Sequence, residues 1–262
     1  MSREIDDRLQ HARQIAHEAG RLTLRYFQTA DLAVEQKKDF SPVTVADREA
    51  EQLLRQRIAE RFADDAVLGE EFPEQPGSTG YRWILDPIDG TRSFVRGVPL
   101  YGTMVAVEFS GEAVVGVVFI PALDETVHAA KGLGAWHQRG TAKPQPARVS
   151  TTAPLSAGLL TSSDTRWPTA TRQQAYARLQ GASGTSRTWG DCYGYVLVAT
   201  GRAEVMVDPI MNVWDAAAVS PIVVEAGGTF TDWQGNPTIH AGEAIATNGR
   251  VLDEVLAITR GA

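Results

Sequence analysis

Two aspartates, Asp86 and Asp89, stand three residues apart in the stretch W-I-L-D-P-I-D-G-T, directly behind an apolar segment. Other carboxylates also follow apolar segments: Glu70 and Glu71 end V-L-G-E-E, and Asp215 comes after N-V-W. Ligand sites in α/β proteins collect at the ends of strands. Several carboxylates in one place repel one another unless a cation lies between them, and a set of oxygen ligands suits Mg²⁺, Mn²⁺ or Ca²⁺. The sequence therefore predicts a site for a hard divalent metal ion.

The same segment is predicted to form a turn that fixes the direction of its carboxylates. Pro87 restricts its own φ and the residue before it, and Gly90 permits a tight exit. Gly90 and Thr91 then open a short helical turn whose free amides can receive an anion. A cation site beside an anion site is typical of phosphate chemistry. The alternative is that Asp86-Pro87 and Asp89-Gly90 are ordinary turn dipeptides.

The elements that must position these residues change in type along the chain. Apolar residues at helical spacing predict a helix over residues 4–27, and a second helix starts at Thr44, a candidate cap, with Asp47 in its first turn. From Val67 the pattern becomes that of strands, including a hairpin. Beyond residue 152 strands and helices alternate. The sequence predicts an α/β protein: an α+β first half, with helices followed by an antiparallel meander, and an α/β second half.

A boundary between two parts is predicted within residues 138–152, which contain turn formers, two prolines and no periodicity. On this reading, residues 1–145 form an N-terminal α+β part that carries most of the metal ligands. Residues 146–262 form a C-terminal α/β part that carries the last metal ligand and the residues that recognise the substrate.

Composition narrows the class of protein. The chain has 262 residues, 43% of them apolar, and a net charge of −7 without a basic face, which disfavours binding to nucleic acid. Cys192 is the single cysteine, so no intramolecular disulfide is possible. The first residues are too polar for a signal peptide, and no apolar run reaches the roughly 20 residues of a membrane span. We expect a soluble cytoplasmic protein that acts on a small molecule and does not bind membranes.

Three blocks of the sequence resemble the inositol monophosphatase family of magnesium-dependent, lithium-sensitive phosphomonoesterases. They are G-E-E at 69–71, W-I-L-D-P-I-D-G-T at 83–91 and W-D-A-A-A-V-S-P-I-V-V-E-A-G-G at 214–228. The resemblance covers nearly the whole chain, because the two opening helices and T-V-A-D also match. It implies a layered αβαβα fold and a homodimer.

The resemblance also implies the metal ligands. The first Mg²⁺ ion corresponds to Glu70, Asp86 and the backbone carbonyl of Ile88. The second corresponds to Asp86, Asp89 and Asp215. A weaker third ion is tied to Glu70 through water, so two or three Mg²⁺ ions are expected, with Mn²⁺ as a possible substitute.

Catalytic and phosphate-binding residues are implied in the same way. Asp47 and Thr91 correspond to the pair that positions the attacking water and helps to deprotonate it, and Glu70 is the third catalytic residue. Gly90 and Thr91 correspond to the amides that hold the phosphate. The implied reaction is in-line attack by a metal-activated water without a covalent phosphoenzyme. The alternative for Asp47 is a simple role at the start of its helix.

The substrate is suggested by R-T-W-G-D-C-Y-G-Y at 187–195, which with S-F-V-R-G-V-P at 93–99 resembles the histidinol-phosphatase branch of the family more than the inositol branch. Asp191 stands where inositol enzymes usually have a small residue, and a carboxylate there suits the ammonium and imidazole of histidinol phosphate. Asp208, seven residues before Asp215, matches an acidic substrate contact of the family.

Each of these substrate residues has a simpler alternative. Asp191 is also placed to be a helix N-cap, Asp208 to form an Asp-Pro turn, and Arg187, the third substrate-binding candidate, to pair with an acid. We predict hydrolysis of L-histidinol phosphate, a step of histidine biosynthesis. The alternatives are an inositol-1-monophosphatase or a small-molecule phosphatase of broad specificity. An inactive metal-binding module is disfavoured, because Asp47, Thr91 and all the metal carboxylates are present.

Overall fold

A computed structural model of the protein describes residues 2–30, 32–37 and 42–260. The α-helices are α1 (Ser2–Thr23), α2 (Val45–Arg61), α3 (Thr91–Val95), α4 (Ala170–Ala182), α5 (Asp191–Ala199), α6 (Val213–Ala217), α7 (Val219–Glu225) and α8 (Leu252–Thr259). The strands are β1 (Val34–Gln36), β2 (Pro42–Thr44), β3 (Ala66–Gly69), β4 (Tyr81–Asp89), β5 (Gly102–Phe109), β6 (Glu112–Ile120), β7 (Glu125–Ala130), β8 (Gly134–Arg139), β9 (Gln145–Pro146), β10 (Leu159–Ser162), β11 (Thr185–Arg187), β12 (Val205–Asp208), β13 (Thr229–Thr231) and β14 (Ala244–Thr247).

Within the described residues, the strands form two large sheets and a small two-stranded ribbon. The first sheet has the order β3-β4-β5-β6-β7-β8-β9, in which β3 is parallel to β4 and all later pairs are antiparallel. The predicted antiparallel meander is therefore confirmed from β4 onward. The second sheet has the order β11-β10-β12-β14-β13, with parallel pairs around β10 and antiparallel pairs around β14. Strands β1 and β2 pair separately.

Helices cover both faces of each sheet. Successive side chains of one strand point to opposite faces and reach different cores. In β12, Val205 and Val207 pack in the core formed with α4 and α8, whereas Met206 packs in the core formed with α5 and α7. In β6, Val117 packs in the core beneath α1 and α2, and Val118 packs on the opposite side. Strands covered on both faces read as continuous apolar runs. The layer order is αβαβα, as the resemblance implied.

Some elements differ from the sequence prediction. The predicted helix near residues 215–226 is two helices, because Pro221 has no N–H to donate to the carbonyl of Ala217. The strands β1, β2, β9 and β11 were not predicted, since each has two or three residues, too few for a period of two to be visible. The boundary between residues 145 and 146 stays a prediction, and β9 spans it. Among the described residues, no helix has the length and apolar character that a membrane crossing requires.

Candidate active site

Strand β4 positions both aspartates of the D-P-I-D segment by means of a β-bulge. Asp86 is opposite Met104 of β5. Asp89 is opposite Gly102, so three steps along β4 match two along β5. In a regular strand, residues three apart face opposite sides, and the extra residue brings both carboxylates to one side. The predicted turn is therefore wrong: the chain remains a strand to Asp89, and its Pro87 lies in the bulge, where proline is tolerated.

A third carboxylate reaches the same place from the second half of the chain. Ligand oxygens of Asp86, Asp89 and Asp215 all lie within 4.8 Å of one another. Asp215 is the third residue of α6, and its Oδ2 accepts the N–H of Asn212 at 2.6 Å, so it also caps the helix. The first-turn role and a ligand role are thus compatible in Asp215.

The electrostatics of this triad favour a cation. Burial raises the pKa of Asp86 and of Asp89 well above the ordinary range, and nearby carboxylates raise it further: Glu70 for Asp86, and Asp191 for Asp89. Burial likewise raises the pKa of Asp215 to about 7. A divalent ion between the three groups would remove this repulsion and favour their ionised forms. The all-oxygen donor set therefore fits Mg²⁺ or Mn²⁺.

Glu70 borders the triad at the end of β3. Its N–H donates to the carbonyl of Leu85, and its carboxylate accepts Nζ of Lys37 at 2.6 Å. The same ammonium lies 2.6 Å from Oε1 of Glu71. Burial alone would lower the pKa of Lys37, but the two carboxylates raise it above its usual value. The structure therefore places a fixed positive charge beside a predicted metal ligand.

Asp47 lies at the start of α2. Thr44 caps this helix as predicted, with Oγ1 accepting the N–H of Ala46 at 3.1 Å. Asp47 Oδ2 accepts the N–H of Thr44 at 2.8 Å and its hydroxyl at 2.6 Å. Its other oxygen, Oδ1, is buried and has no hydrogen-bond partner among the described residues. Burial raises the pKa of Asp47 to about 6, which brings it close to neutral pH. Asp47 therefore caps its helix with one oxygen and keeps the other available.

Gly90 and Thr91 form the predicted exit from β4. Gly90 has φ 83°, in the left-handed region that favours glycine, and α3 begins directly after it. The hydroxyl of Thr91 donates to the carbonyl of Ile88 at 3.0 Å. Ile88 is buried, and its N–H donates to Oδ1 of Asp86 at 3.1 Å. The Ile88 carbonyl, Thr91 and the aspartate cluster are thus linked by direct contacts.

Asp191 lies against this exit turn. A Cβ atom on Gly90 would be 2.9 Å from Oδ2 of Asp191, so the carboxylate is in contact with the turn. Asp191 does not cap α5: the N-cap is Gly190, without a side-chain capping bond. Burial, with Asp208 and Asp215 adding to it, raises the pKa of Asp191 to about 7, and the nearby Arg92 opposes the rise.

Asp208 ends β12 and is 4% exposed. Its Oδ2 accepts the hydroxyl of Tyr195 at 2.8 Å, and burial raises its pKa to about 6. Arg187, at the end of β11, is exposed and donates to the carbonyl of Ser186 at 2.7 Å. It forms no ion pair with an acid within the part of the chain that the structure describes. The substrate roles of Asp191, Asp208 and Arg187 stay predictions.

Comparison with known proteins shows which family the chain belongs to. Residues 4–261 match the sequence model of the inositol monophosphatase family. The chain belongs to the inositol monophosphatase family. A histidinol-phosphatase of Chlorobaculum parvum is 46% identical over 97% of both chains, and one of Mycobacterium tuberculosis is 41% identical over 95% of this chain and 96% of that protein. A solved IMPase of Thermotoga maritima has a TM-score of 0.86 at 31% identity, and the match covers 97% of this chain and 96% of that chain.

Several residues around the site of this inositol monophosphatase family member were missed by the sequence analysis. Lys37 lies in a segment without a recognisable pattern, far along the chain from Glu70. Ser163, which accepts the N–H of Asp191 at 2.7 Å, directly follows β10. Its position at the carboxyl end of a parallel strand was the signal that pointed to it.

Proposed function

We propose that the protein is a magnesium-dependent phosphatase that hydrolyses L-histidinol phosphate to L-histidinol and phosphate, a step of histidine biosynthesis. The observation that carries this assignment is the carboxylate of Asp191 in contact with Gly90, beside the aspartate cluster. An anionic group at this place suits a phosphate ester that also carries an ammonium group. The two relatives named histidinol-phosphatase, 46% and 41% identical, support the same substrate.

In this proposal two Mg²⁺ ions would be held by the carboxylates of Glu70, Asp86, Asp89 and Asp215 and by the carbonyl of Ile88. A third ion would bind near Glu70. Bound Mg²⁺ supplies charge neutralisation and a lower pKa for a water molecule. The support from this chain is the convergence of the three aspartates and the buried carboxylates whose pKa is raised without a cation. Mn²⁺ is an alternative for the same oxygen ligands.

The remaining steps belong to side chains and amides of the protein. Asp47 Oδ1 is the proposed acceptor for the proton of the attacking water, since the described residues offer it no hydrogen-bond partner and burial raises the pKa of Asp47 to about 6. Thr91, held by its bond to Ile88, orients that water through its hydroxyl oxygen. The amides of Gly90 and Thr91 hold the phosphate at the turn.

Recognition of the substrate amine is assigned to Asp191 and Asp208. A bound ammonium group would favour the ionised form of Asp191, whose pKa is about 7 without it. Asp208 is fixed by Tyr195 and adds negative charge behind Asp191. Arg187 is proposed as an outer contact, in keeping with its exposed side chain.

The test is phosphate release from histidinol phosphate, inositol 1-phosphate, fructose 1,6-bisphosphate and phosphoadenosine phosphate, each with Mg²⁺ and with chelator. We expect histidinol phosphate to lead by about tenfold in kcat/KM, roughly 1.4 kcal/mol of transition-state preference, and chelator to abolish release. A tenfold lead for inositol 1-phosphate would assign the protein to inositol-1-monophosphatases instead. Equal rates would indicate broad specificity.

We further propose a cytoplasmic homodimer that is inhibited by Li⁺. Family membership supports the dimer and the lithium effect, and the single, buried cysteine fits a reducing compartment. Light scattering of the purified protein tests the oligomeric state, and an activity titration with LiCl against NaCl tests inhibition. A monomer by light scattering, or equal effects of the two salts, would remove the corresponding part of this proposal.

A further inference from the structure

Asp191 has a backbone conformation that the rest of the fold must hold. Its φ is 51°, in the left-handed region that residues other than glycine rarely adopt. The residue also starts α5 without using its side chain as a cap. A strained residue of this kind persists only where its surroundings determine it. The contacts of its amide and of the preceding residue therefore decide where its carboxylate lies.

Those contacts are made with Ser163. The N–H of Asp191 donates to Oγ of Ser163 at 2.7 Å. The preceding Gly190 lies on the backbone of the same serine: a Cβ atom there would be 2.2 Å from the Cα of Ser163 and 2.4 Å from its nitrogen. No other residue type fits at Gly190 without moving the end of β10. The first residues of α5 thus pack against Ser163 and form a hydrogen bond with it.

The position of Ser163 in the sheet brings it to Asp208 as well. Strand β10 runs parallel to β12, with Ser162 opposite Val207, so both chains leave the sheet at the same edge. The hydroxyl and amide of Ser163 are near enough to oppose the rise that burial causes in the pKa of Asp208. Oδ1 of Asp208 itself has no partner within hydrogen-bond distance among the described residues. The register therefore places Ser163 beside Asp208 at the end of the sheet, while its hydroxyl accepts the N–H of Asp191.

These contacts with Ser163 determine the direction of the Asp191 side chain. Its Oδ2 and Cβ lie 2.9 Å and 3.5 Å from the place that a Cβ atom on Gly90 would take. A contiguous chain of contacts thus runs from Ser163 through the backbone of Asp191 to its carboxylate and on to the turn after β4.

We propose that Ser163 is a positioning residue that holds Asp191 in this conformation and thereby sets the preference for phosphate esters with an ammonium group over neutral ones. This inference rests on the proposed function, because it takes Asp191 as the acceptor of that group.

The test compares Ser163→Ala with wild type on histidinol phosphate and on the neutral ester inositol 1-phosphate. We expect kcat/KM to fall about tenfold for histidinol phosphate, mainly through KM, and less than threefold for the neutral ester. Ser163→Thr, which keeps a hydroxyl, should restore most of the preference. Ser162→Ala is the matched control, since the hydroxyl of Ser162 donates to the carbonyl of Asp164 and not toward Asp191.

Ser163→Gly provides a second variant without the hydroxyl, in case the alanine variant does not fold. The double variant of Ser163→Ala with Asp191→Ala should lose no more than Asp191→Ala alone, because coupled residues are not additive. Equal loss on both esters for the Ser163 variants, or additivity in the double variant, would overturn the positioning role. If Asp191→Ala is selective and Ser163→Ala is not, only this inference fails. If Asp191→Ala reduces kcat/KM equally for both esters, the assignment of Asp191 to the substrate amine in the proposed function fails.

Discussion

The Nζ atom of Lys37 lies 2.6 Å from Oε1 of Glu70. The side chains are 22% and 18% exposed, so the pair is only partly shielded from solvent. Glu71 shares the ammonium at 2.6 Å. Lys37 thus supplies positive charge to a carboxylate that we assign to the first metal ion. A cation that binds Glu70 must compete with this ammonium group or displace it.

Lys37→Met should therefore change metal affinity. Removing the ammonium leaves Glu70 and Glu71 without a counter-charge. We expect Mn²⁺ or Mg²⁺ to bind about three- to tenfold more tightly, because the ion no longer displaces a partly buried ion pair that contributes about 1 kcal/mol. Isothermal titration calorimetry on the metal-free protein measures this directly. Arg48→Met is the control, because Arg48 forms an exposed pair with Glu35 in the neighbouring strand. Identical affinities in both variants would show that Lys37 does not compete with the ion.

Asp89→Asn should keep the fold and lower kcat by roughly 10²-fold or more, because the site loses a charged ligand. The amide oxygen can still accept the N–H of Cys192, which bonds Asp89 in the wild type. In chelator the variant should melt at a higher temperature than the wild type, since one member of a repelling triad becomes neutral. Its gain in melting temperature on adding Mg²⁺ should be smaller.

Asp124→Asn is a suitable comparison for Asp89→Asn, because the side chain of Asp124 is half-exposed and its φ of 47° lies in the left-handed region, which asparagine tolerates. Near-normal turnover of the Asp89 variant at saturating Mg²⁺ would remove Asp89 from the site.

Glu51 is a buried support for the segment that carries Glu70. It is 0% exposed, its Oε1 accepts Nε of Arg55 at 2.7 Å and its Oε2 accepts the N–H of Glu71 at 2.7 Å. Glu51→Gln places an N–H₂ group against one of these donors, which costs about 1–3 kcal/mol. We expect melting several degrees lower and weaker metal binding by calorimetry. Glu60→Gln on the exposed side of α2 should change neither quantity. Unchanged metal affinity in Glu51→Gln would limit Glu51 to stability alone.

His128 should give the protein a pH-dependent stability of its own. Burial, with Arg13 and His17 adding to it, lowers the pKa of His128 to about 3, and its Nδ1 has no hydrogen-bond partner among the described residues. Between pH 3 and 6.5 the unfolded chain binds the proton that the folded chain excludes, so folding becomes more favourable as the pH rises and levels off above 6.5. The slope is at most about 1.4 kcal/mol per pH unit.

In His128→Leu, the contribution of His128 to the change of unfolding free energy with pH should disappear between pH 5 and 6.5. Urea denaturation at several pH values measures this free energy. The exposed His240→Leu should keep the wild-type slope. The comparison uses slopes rather than absolute stabilities, so a packing change in the leucine variant does not affect it. A wild-type slope in His128→Leu would mean that His128 binds its proton equally in the folded and unfolded states over this pH range.

Local features were predictable from the sequence, and features that depend on register or on layer packing were not. The Thr44 cap and the left-handed Gly90 follow from residues next to one another, and both are observed. The bulge in β4 was not foreseen, because it exists only relative to the pairing with β5. Lys37 and Ser163 contact residues that are 33 and 28 positions away along the chain. The strand that precedes Ser163 indicates its place at the sheet edge, but no local pattern identifies Glu70 or Asp191 as the partner.

The bulge between Asp86 and Asp89 makes the site sensitive to the pairing register of β4 with β5 as much as to the identity of its residues. The three-residue advance from Asp86 to Asp89 on β4 pairs with a two-residue advance on β5. This mismatch brings both carboxylates to one side of the sheet. Regular pairing of the same residues, without the bulge, would leave every carboxylate in the sequence unchanged. The sheet would then close with every acid still encoded, but one aspartate would point into the opposite layer. A change of pairing register in this short segment is therefore a route to an intact fold without a metal centre.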